Sequence, residues 1–402
     1  MSRILLAWEL GTGFGHLGPF LGLAPRLIER GHTLHVAVRE IAGAATALGN
    51  LPVTLHQAPL CLNTYGGLQE PPLNYAEILM RYGYLEPAML RAMITAWRSL
   101  ITALGADVVI ADHAPTALLA ARDLGVARAV IGSSFNVPPP SDPTPNMRSW
   151  VPVPAARLAD SDRRVLTVIN DALPQGRGLR AVHDIFAGAA CFFSGTPELD
   201  TYTARQAGDY LGLQTLSTGT AEPVWPQGGG EPVFAYLHAD YPHIERALQA
   251  LAASGARVLV HVLAGDAVLV KRHQNARMQF ASQLLDFHRV VAECQFCVCH
   301  GNVGTTLGMI QGGRPVLVLP KHLEHFLLGR ALVRSGAGRV VHADDNAPDI
   351  AAEIAAMLDD VALRSNARAL AERHAQPSVG TMSGRAVARI EALVSQGAGP
   401  AS

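Results

Sequence analysis

The chain contains no run of 18 or more apolar residues, so nothing in it reads as a membrane-crossing helix. Its first strand-like run meets Glu9 almost at once, too early for the apolar core of a signal peptide. A cytoplasmic location is therefore expected, with membrane contact limited to the periphery. Strong charge of either sign is lacking as well. A net charge of −1 and a pI near 7.0, without blocks of like charge, give no electrostatic basis for nucleic-acid binding. Cysteine is scarce, and five in 402 residues do not make a disulfide framework. Cys294, Cys297 and Cys299 beside His300 superficially resemble a metal cluster, yet no second cysteine pair exists. Strand alternation also turns Cys297 and Cys299 to one face among small apolar residues, so these thiols are expected in the core.

Hydrophobic residues, by contrast, make up 49% of the chain, enough for a large core and, at this length, for two domains. Strand-like and helix-like runs alternate. Residues 3–10 read as a strand, the glycine-rich turn 11–16 follows, 17–30 carries a helical apolar period closed by Gly31, and 33–38 is a second strand. Strands 107–111 and 126–132 continue the pattern, with Asp112 and His113 at the end of the former. Residues 58–81 and 133–154 read as long loops. Residues 219–232, with three consecutive glycines near prolines, read as a linker, after which the α/β alternation restarts. The expected division is an N-terminal Rossmann-like domain (1–218), the linker (219–232), a C-terminal Rossmann-like domain (233–378), and a final helical segment (379–402) crossing back to the first domain.

The most informative stretch is Cys299-His300-Gly301-Asn302-Val303-Gly304-Thr305-Thr306, followed by Gly313-Arg314-Pro315, a strand ending at Pro320, and His322-Leu323-Glu324-His325. A buried strand runs into a glycine turn and then a helix start, whose free N–H groups and positive dipole end favour an anion. Strand, turn, helix, strand and polar loop is the layout of a ligand crevice at the carboxyl ends of parallel strands.

This segment resembles the donor-site signature of GT-B glycosyltransferases of the UDP-glycosyltransferase type, roughly His-Gly-Gly-x-Gly-Thr, then Gly-x-Pro, Pro and Asp/Glu-Gln. The resemblance implies an α/β protein of two Rossmann-like domains facing across a cleft. It implies that His300, Gly301, Gly304, Thr305 and Thr306 hold a nucleotide-sugar's diphosphate, and that Glu324 and His325 meet the donated sugar. Gly308 stands where the family has a ribose-binding glutamate, His325 replaces its glutamine, and Asn302 replaces a glycine. The opening Gly15-His16 resembles the family's other signature, in which a histidine at the first turn is the catalytic base and an aspartate, here Asp112, orients it. A helix N-cap is the structural alternative for Asp112, and His113 is a second candidate for its role.

By that resemblance the chain is an inverting glycosyltransferase moving a sugar from a UDP- or dTDP-linked donor to a hydroxyl on a hydrophobic small molecule or lipid. Phe14, Phe135 and Trp150 are candidates for an apolar acceptor wall. The chain is read as carrying no Asp-x-Asp motif, which removes the usual reason to invoke a divalent metal on the diphosphate, and no cofactor is expected. A sugar-nucleotide epimerase of the same fold and a non-catalytic nucleotide-sugar-binding protein are the competing readings.

Overall fold

The computed structural model describes residues 1–11, 13–213, 219–342, 344–375 and 381–397, with the side chains of residues 14, 396 and 397 outside that set. It divides into two units, Met1–Ser194 with Tyr202–Leu211 and Val379–Ser402, and Gly195–Thr201 with Gly212–Ser378.

The first unit contains β1 (Arg3–Trp8), α1 (Gly18–Glu29), β2 (Thr33–Val38), α2 (Ile41–Leu48), β3 (Val53–Gln57), α3 (Tyr75–Met80), α4 (Pro87–Leu104), β4 (Val108–Asp112), α5 (Pro115–Ala121), β5 (Ala127–Gly132), α6 (Ala155–Ala172), β6 (Ala190–Phe193) and β7 (Asp209–Tyr210). Its parallel sheet runs β3-β2-β1-β4-β5-β6-β7. The order of winding reverses between β1 and β4, where Trp8 pairs with Asp112. Parallel strands covered on both faces read as continuous apolar runs, and β1 and β4 are such runs, buried almost throughout.

The second unit contains β8 (Pro232–His238), α7 (Ile244–Ala253), β9 (Arg257–Leu263), α8 (Ala267–His273), β10 (Met278–Phe280), α9 (Phe287–Glu293), β11 (Phe296–Cys299), α10 (Val303–Gln311), β12 (Val316–Val318), α11 (Leu323–Arg334), β13 (Gly338–Val340), α12 (Ile350–Asp359) and α13 (Val361–Arg373). The sheet order is β10-β9-β8-β11-β12-β13, again parallel, with the reversal between β8 and β11. Cys294, Cys297 and Cys299 are free thiols buried in this core, next to Met309.

The last helix, α14 (Met382–Gly397), belongs to the first unit. Met382, Ala386, Val387 and Ile390 enter the core built by α1 and β1, and Glu391 accepts from Arg30 at 2.8 Å.

Two expected boundaries differ. Residues 195–201 lie in the second unit because Leu199 enters its core, Asp200 O accepts from Arg334 at 2.8 Å, and Glu198 meets His374 at 2.9 Å. Residues 219–232 are held by the second unit rather than spanning open space: Ala221 bridges to Leu285, and Trp225 Nε1 donates to Glu293 at 2.7 Å. The loops 58–81 and 133–154 are likewise pinned. Asp162 on α6 accepts from Asn74 and from both the N–H and hydroxyl of Thr144, while Glu77 takes Leu73 N, Ser161 and Arg157. Among the described residues no helix is long and apolar enough to cross a membrane.

Candidate functional site

In the first unit the turn after β1 folds into a short 3-10 segment, Phe14–His16, and brings His16 back over the carboxyl end of β4. His16 Nδ1 lies 3.3 Å from Asp112 Oδ1, and its ring stacks on Trp8 at 5.3 Å between centroids. Asp112 is almost wholly buried. Burial pushes its carboxyl above the usual range, while His16 and a 2.7 Å bond from Asn136 Nδ2 pull it back. When Asp112 is ionised it accepts from Nδ1–H of His16, which leaves the lone pair on Nε2.

Two glycines make this packing possible. A Cβ on Gly11, whose φ is +82°, would sit 2.3 Å from His16 Nε2; one on Gly132, φ +115°, would meet Asp112 Oδ1 at 3.0 Å. Asp112 does not act as the N-cap of α5, a position held by Ala114. His113 is neutral, pushed well below the usual range by burial, and sits at φ 47°. A side chain adopts that conformation at a cost of about 1 kcal/mol. Its carbonyl accepts from Leu10 N at 2.9 Å, which ties β1's exit to β4's.

Next to Trp8 stands a buried acid, Glu9, which in the sequence only interrupts the first apolar run. Glu9 is buried, accepts from Thr116 N at 3.0 Å and bonds the Thr116 hydroxyl, which also meets Tyr84 OH at 2.9 Å. Burial pushes its carboxyl up to about 7, against the donors of Thr116 and Ala117 and the charge of Arg39.

Of the acceptor-wall candidates, Phe135 is buried and packs edge-on against His113 at 6.2 Å, so it floors the site rather than presenting an exposed face. Trp150 is half-buried under the Arg148 guanidinium, 5.7 Å from the ring centre. The Phe14 side chain is outside the described residues. Tyr75, in the 58–81 stretch, lies 6.1 Å from His113.

In the second unit Gly301 makes the turn after β11 at φ +91°, where a Cβ would strike Val318 and the His325 carbonyl at 2.9 and 3.0 Å. The first bond of α10 is Thr306 N to Asn302 O, so the N–H groups of Val303, Gly304 and Thr305 precede the helical ladder. A Cβ on Gly304 would meet nothing within 4 Å, which leaves the backbone open to close approach.

Two expected contacts are corrected here. Thr306 is buried with its hydroxyl turned inward to Cys299 Sγ at 3.9 Å. The His300 ring is occupied on both sides: Nδ1 donates to Leu319 O at 2.7 Å and Nε2 accepts from His238 N at 2.8 Å. Burial pushes His300 down to about 4. Neutral and saturated, it joins β8, β11 and β12 and has no N–H left for a phosphate. Glu324 stands in the first turn of α11 after His322. The His325 ring lies 3.6 Å from that of His322, tilted by 33°; it is held neutral by burial and keeps a buried Nδ1 without a partner. Gly308 is buried within α10.

Contrary to the expectation that the chain has no Asp-x-Asp motif, it carries one, Asp160-Ser161-Asp162, on α6 in the first unit. Asp162 is committed to Asn74 and Thr144, and Asp160 to Arg163.

Two parallel-sheet α/β units, each with a polar turn at its point of reversal, define the GT-B fold. It is shared with the glycosyltransferase VinC in complex with dTDP (TM-score 0.69, 15% identity, covering 98% of this chain and 100% of that one) and with the calicheamicin glycosyltransferase CalG4 (0.67, 18%, 99% of each). Residues 245–388 match the family described as Erythromycin biosynthesis protein CIII-like, C-terminal domain. A PGL/p-HBAD biosynthesis glycosyltransferase of Mycobacterium tuberculosis is 25% identical over 310 residues, 70% of each chain. The chain has the GT-B fold, and the relatives it resembles over 70% of its length are glycosyltransferases.

Proposed function

We propose that the chain transfers a sugar, with inversion and without a metal, from a UDP- or dTDP-linked donor to a hydroxyl of a hydrophobic small molecule or lipid. The observation that carries this reading is the His16–Asp112 pair at the carboxyl ends of β1 and β4. Nε2 takes the acceptor's hydroxyl proton, Asp112 steadies the imidazolium through Nδ1–H, and Asn136 keeps the carboxylate in place. The acceptor oxygen bonds to the anomeric carbon as the carbon–oxygen bond to the diphosphate breaks on the opposite face. One displacement inverts that centre, and the nucleoside diphosphate leaves with the electron pair.

The second unit takes the donor. Charge growing on the departing diphosphate is offset by the N–H groups of Val303, Gly304 and Thr305, each such fixed donor being worth about 3 kcal/mol in favourable cases. Glu324 and His325 face the donated sugar in this reading, and Thr306 and His300 shape the turn without touching the anion. A dTDP-linked donor and a natural-product acceptor are suggested by VinC and by a spinosyn rhamnosyltransferase crystallised with spinosyn aglycone (TM-score 0.69, 15% identity, covering 97% and 100%).

A thermal-shift panel of UDP, dTDP and GDP sugars, followed by nucleotide release with an acceptor panel, tests the reading. Stabilisation by a UDP or dTDP sugar and release that requires an acceptor are expected. Donor isomerised without an acceptor would favour the epimerase, and binding without turnover across the panel would favour a binding protein.

A further inference from the structure

Beside the Gly301 turn stands a group of charges that the reaction above does not use. Asp240 follows β8 and Lys321 follows β12, and those strands are the two neighbours of β11. Lys321 Nζ bonds Asp240 Oδ1, so the ion pair reaches across the carboxyl end of β11, where the chain turns into α10. His238 Nδ1 lies 2.7 Å from the same oxygen. The His238 backbone is in turn fixed to His300 Nε2, and Lys321, His238 and Asp240 all act electrostatically on His300. The pair therefore lies beside the turn that leads from β11 into α10.

Neither a purely structural nor a purely ligand-binding role accounts for Asp240. Its side chain is 60% exposed and that of Lys321 24%, and ion pairs so open to water add little to stability. A carboxylate fixed beside a diphosphate would also weaken binding by like-charge repulsion. Exchange of partners accounts for both facts. Resting on the donor-site reading, we infer that Lys321 is a contact for the donor's diphosphate, and that Asp240 is its placeholder, occupying the ammonium until phosphate oxygens replace it. Asp240 keeps its 2.7 Å contact with His238 Nδ1 and its exposure to water when Lys321 leaves. A ligand must then out-compete a carboxylate for Nζ. A diphosphate does so and a nucleoside does not, which makes the pair a selector for nucleoside diphosphates.

Calorimetric titration of the full chain with dTDP, UDP, thymidine and uridine tests this on wild type, Lys321→Met, Asp240→Asn and the double variant. Lys321→Met should weaken diphosphate binding about tenfold, the size of a charge-assisted contact, and leave nucleoside binding unchanged. Asp240→Asn should tighten diphosphate binding several-fold, and that gain should vanish in the double variant, since the two residues act through one another. Unchanged diphosphate affinity in Lys321→Met overturns the exchange while leaving the donor site standing. An Asp240→Asn gain that persists without Lys321 overturns it too, by making Asp240 a repulsive charge only. A wild-type chain that binds neither dTDP nor UDP overturns both the exchange and the donor-site reading beneath it.

Discussion

Each unit places a histidine and a glycine turn where the winding of its sheet reverses, and the two histidines are held in opposite ways. His16 is gripped by one carboxylate through Nδ1 and stacks on Trp8, with its Nε2 against Gly11. His300 is gripped by main-chain groups on both nitrogens and is pushed down to about 4 by burial. A carboxylate neighbour stabilises an imidazolium, which is what the base role proposed for His16 requires. A backbone N–H pointing at Nε2 forbids one, so His300 is built to stay neutral. Residue type and neighbouring glycine are alike in the two motifs; the hydrogen-bond partners differ, and they assign the work.

The comparison breaks most visibly at His16. Replacing it by Gln should lower acceptor-dependent nucleotide release about 10²–10⁴-fold, the contribution of a positioned general base, with unaltered dTDP binding. Steady-state release assays beside calorimetry check both parts.

Stability against pH separates the units next. Glu9, pushed up to about 7, keeps a proton in the folded chain that the unfolded chain releases near 4.5. Its contribution is complete below 4.5 and is lost as pH rises through about 7, by about 3 kcal/mol. His300 runs the other way. Its contribution is complete above the ordinary 6.5 and is lost as pH falls through about 4, again about 3 kcal/mol. Urea unfolding from pH 4 to 8 checks the signs. Glu9→Gln should remove the loss on raising pH, and His300→Gln the loss on lowering it.

The turn of the second unit sharpens the contrast on a smaller scale. Gly301→Ala forces a side chain against Val318 and His325 at a positive φ and should cost about 1–3 kcal/mol of stability. Gly304→Ala meets open space within a helix, so it should change stability by about 1 kcal/mol or less in the favourable direction while weakening dTDP binding. Urea midpoints and titrations of the two variants check this crossing of effects.

The alternation of strands and helices and the two glycine turns were legible because period and turn chemistry are local. So was the pairing of His16 with Asp112, which the resemblance proposed and which the parallel register of Trp8 with Asp112 brings together. What escaped the sequence depends on partners far along the chain. Glu9 breaks an apolar run and reads as a strand's end, yet it is satisfied by Thr116, 107 residues away. The proline-rich loops look open, yet Asn74 and Ser161 bond carboxylates 88 and 84 residues distant. Thr306 reads as a helix-start hydroxyl for phosphate, but one further position along α10 turns it to the core beside Cys299. His300 matched a phosphate-binding motif, and nothing local announced that His238 and Leu319 would occupy both of its nitrogens.

The contrast between the two histidines is tested most directly by His300→Ala, with urea unfolding at pH 7 and dTDP titration performed on the same preparation. A role in joining three strands predicts a loss of about 3 kcal/mol from two buried hydrogen bonds and the space left behind, with dTDP affinity kept within about threefold. Unchanged stability with dTDP binding abolished would make His300 a phosphate ligand after all and contradict the account.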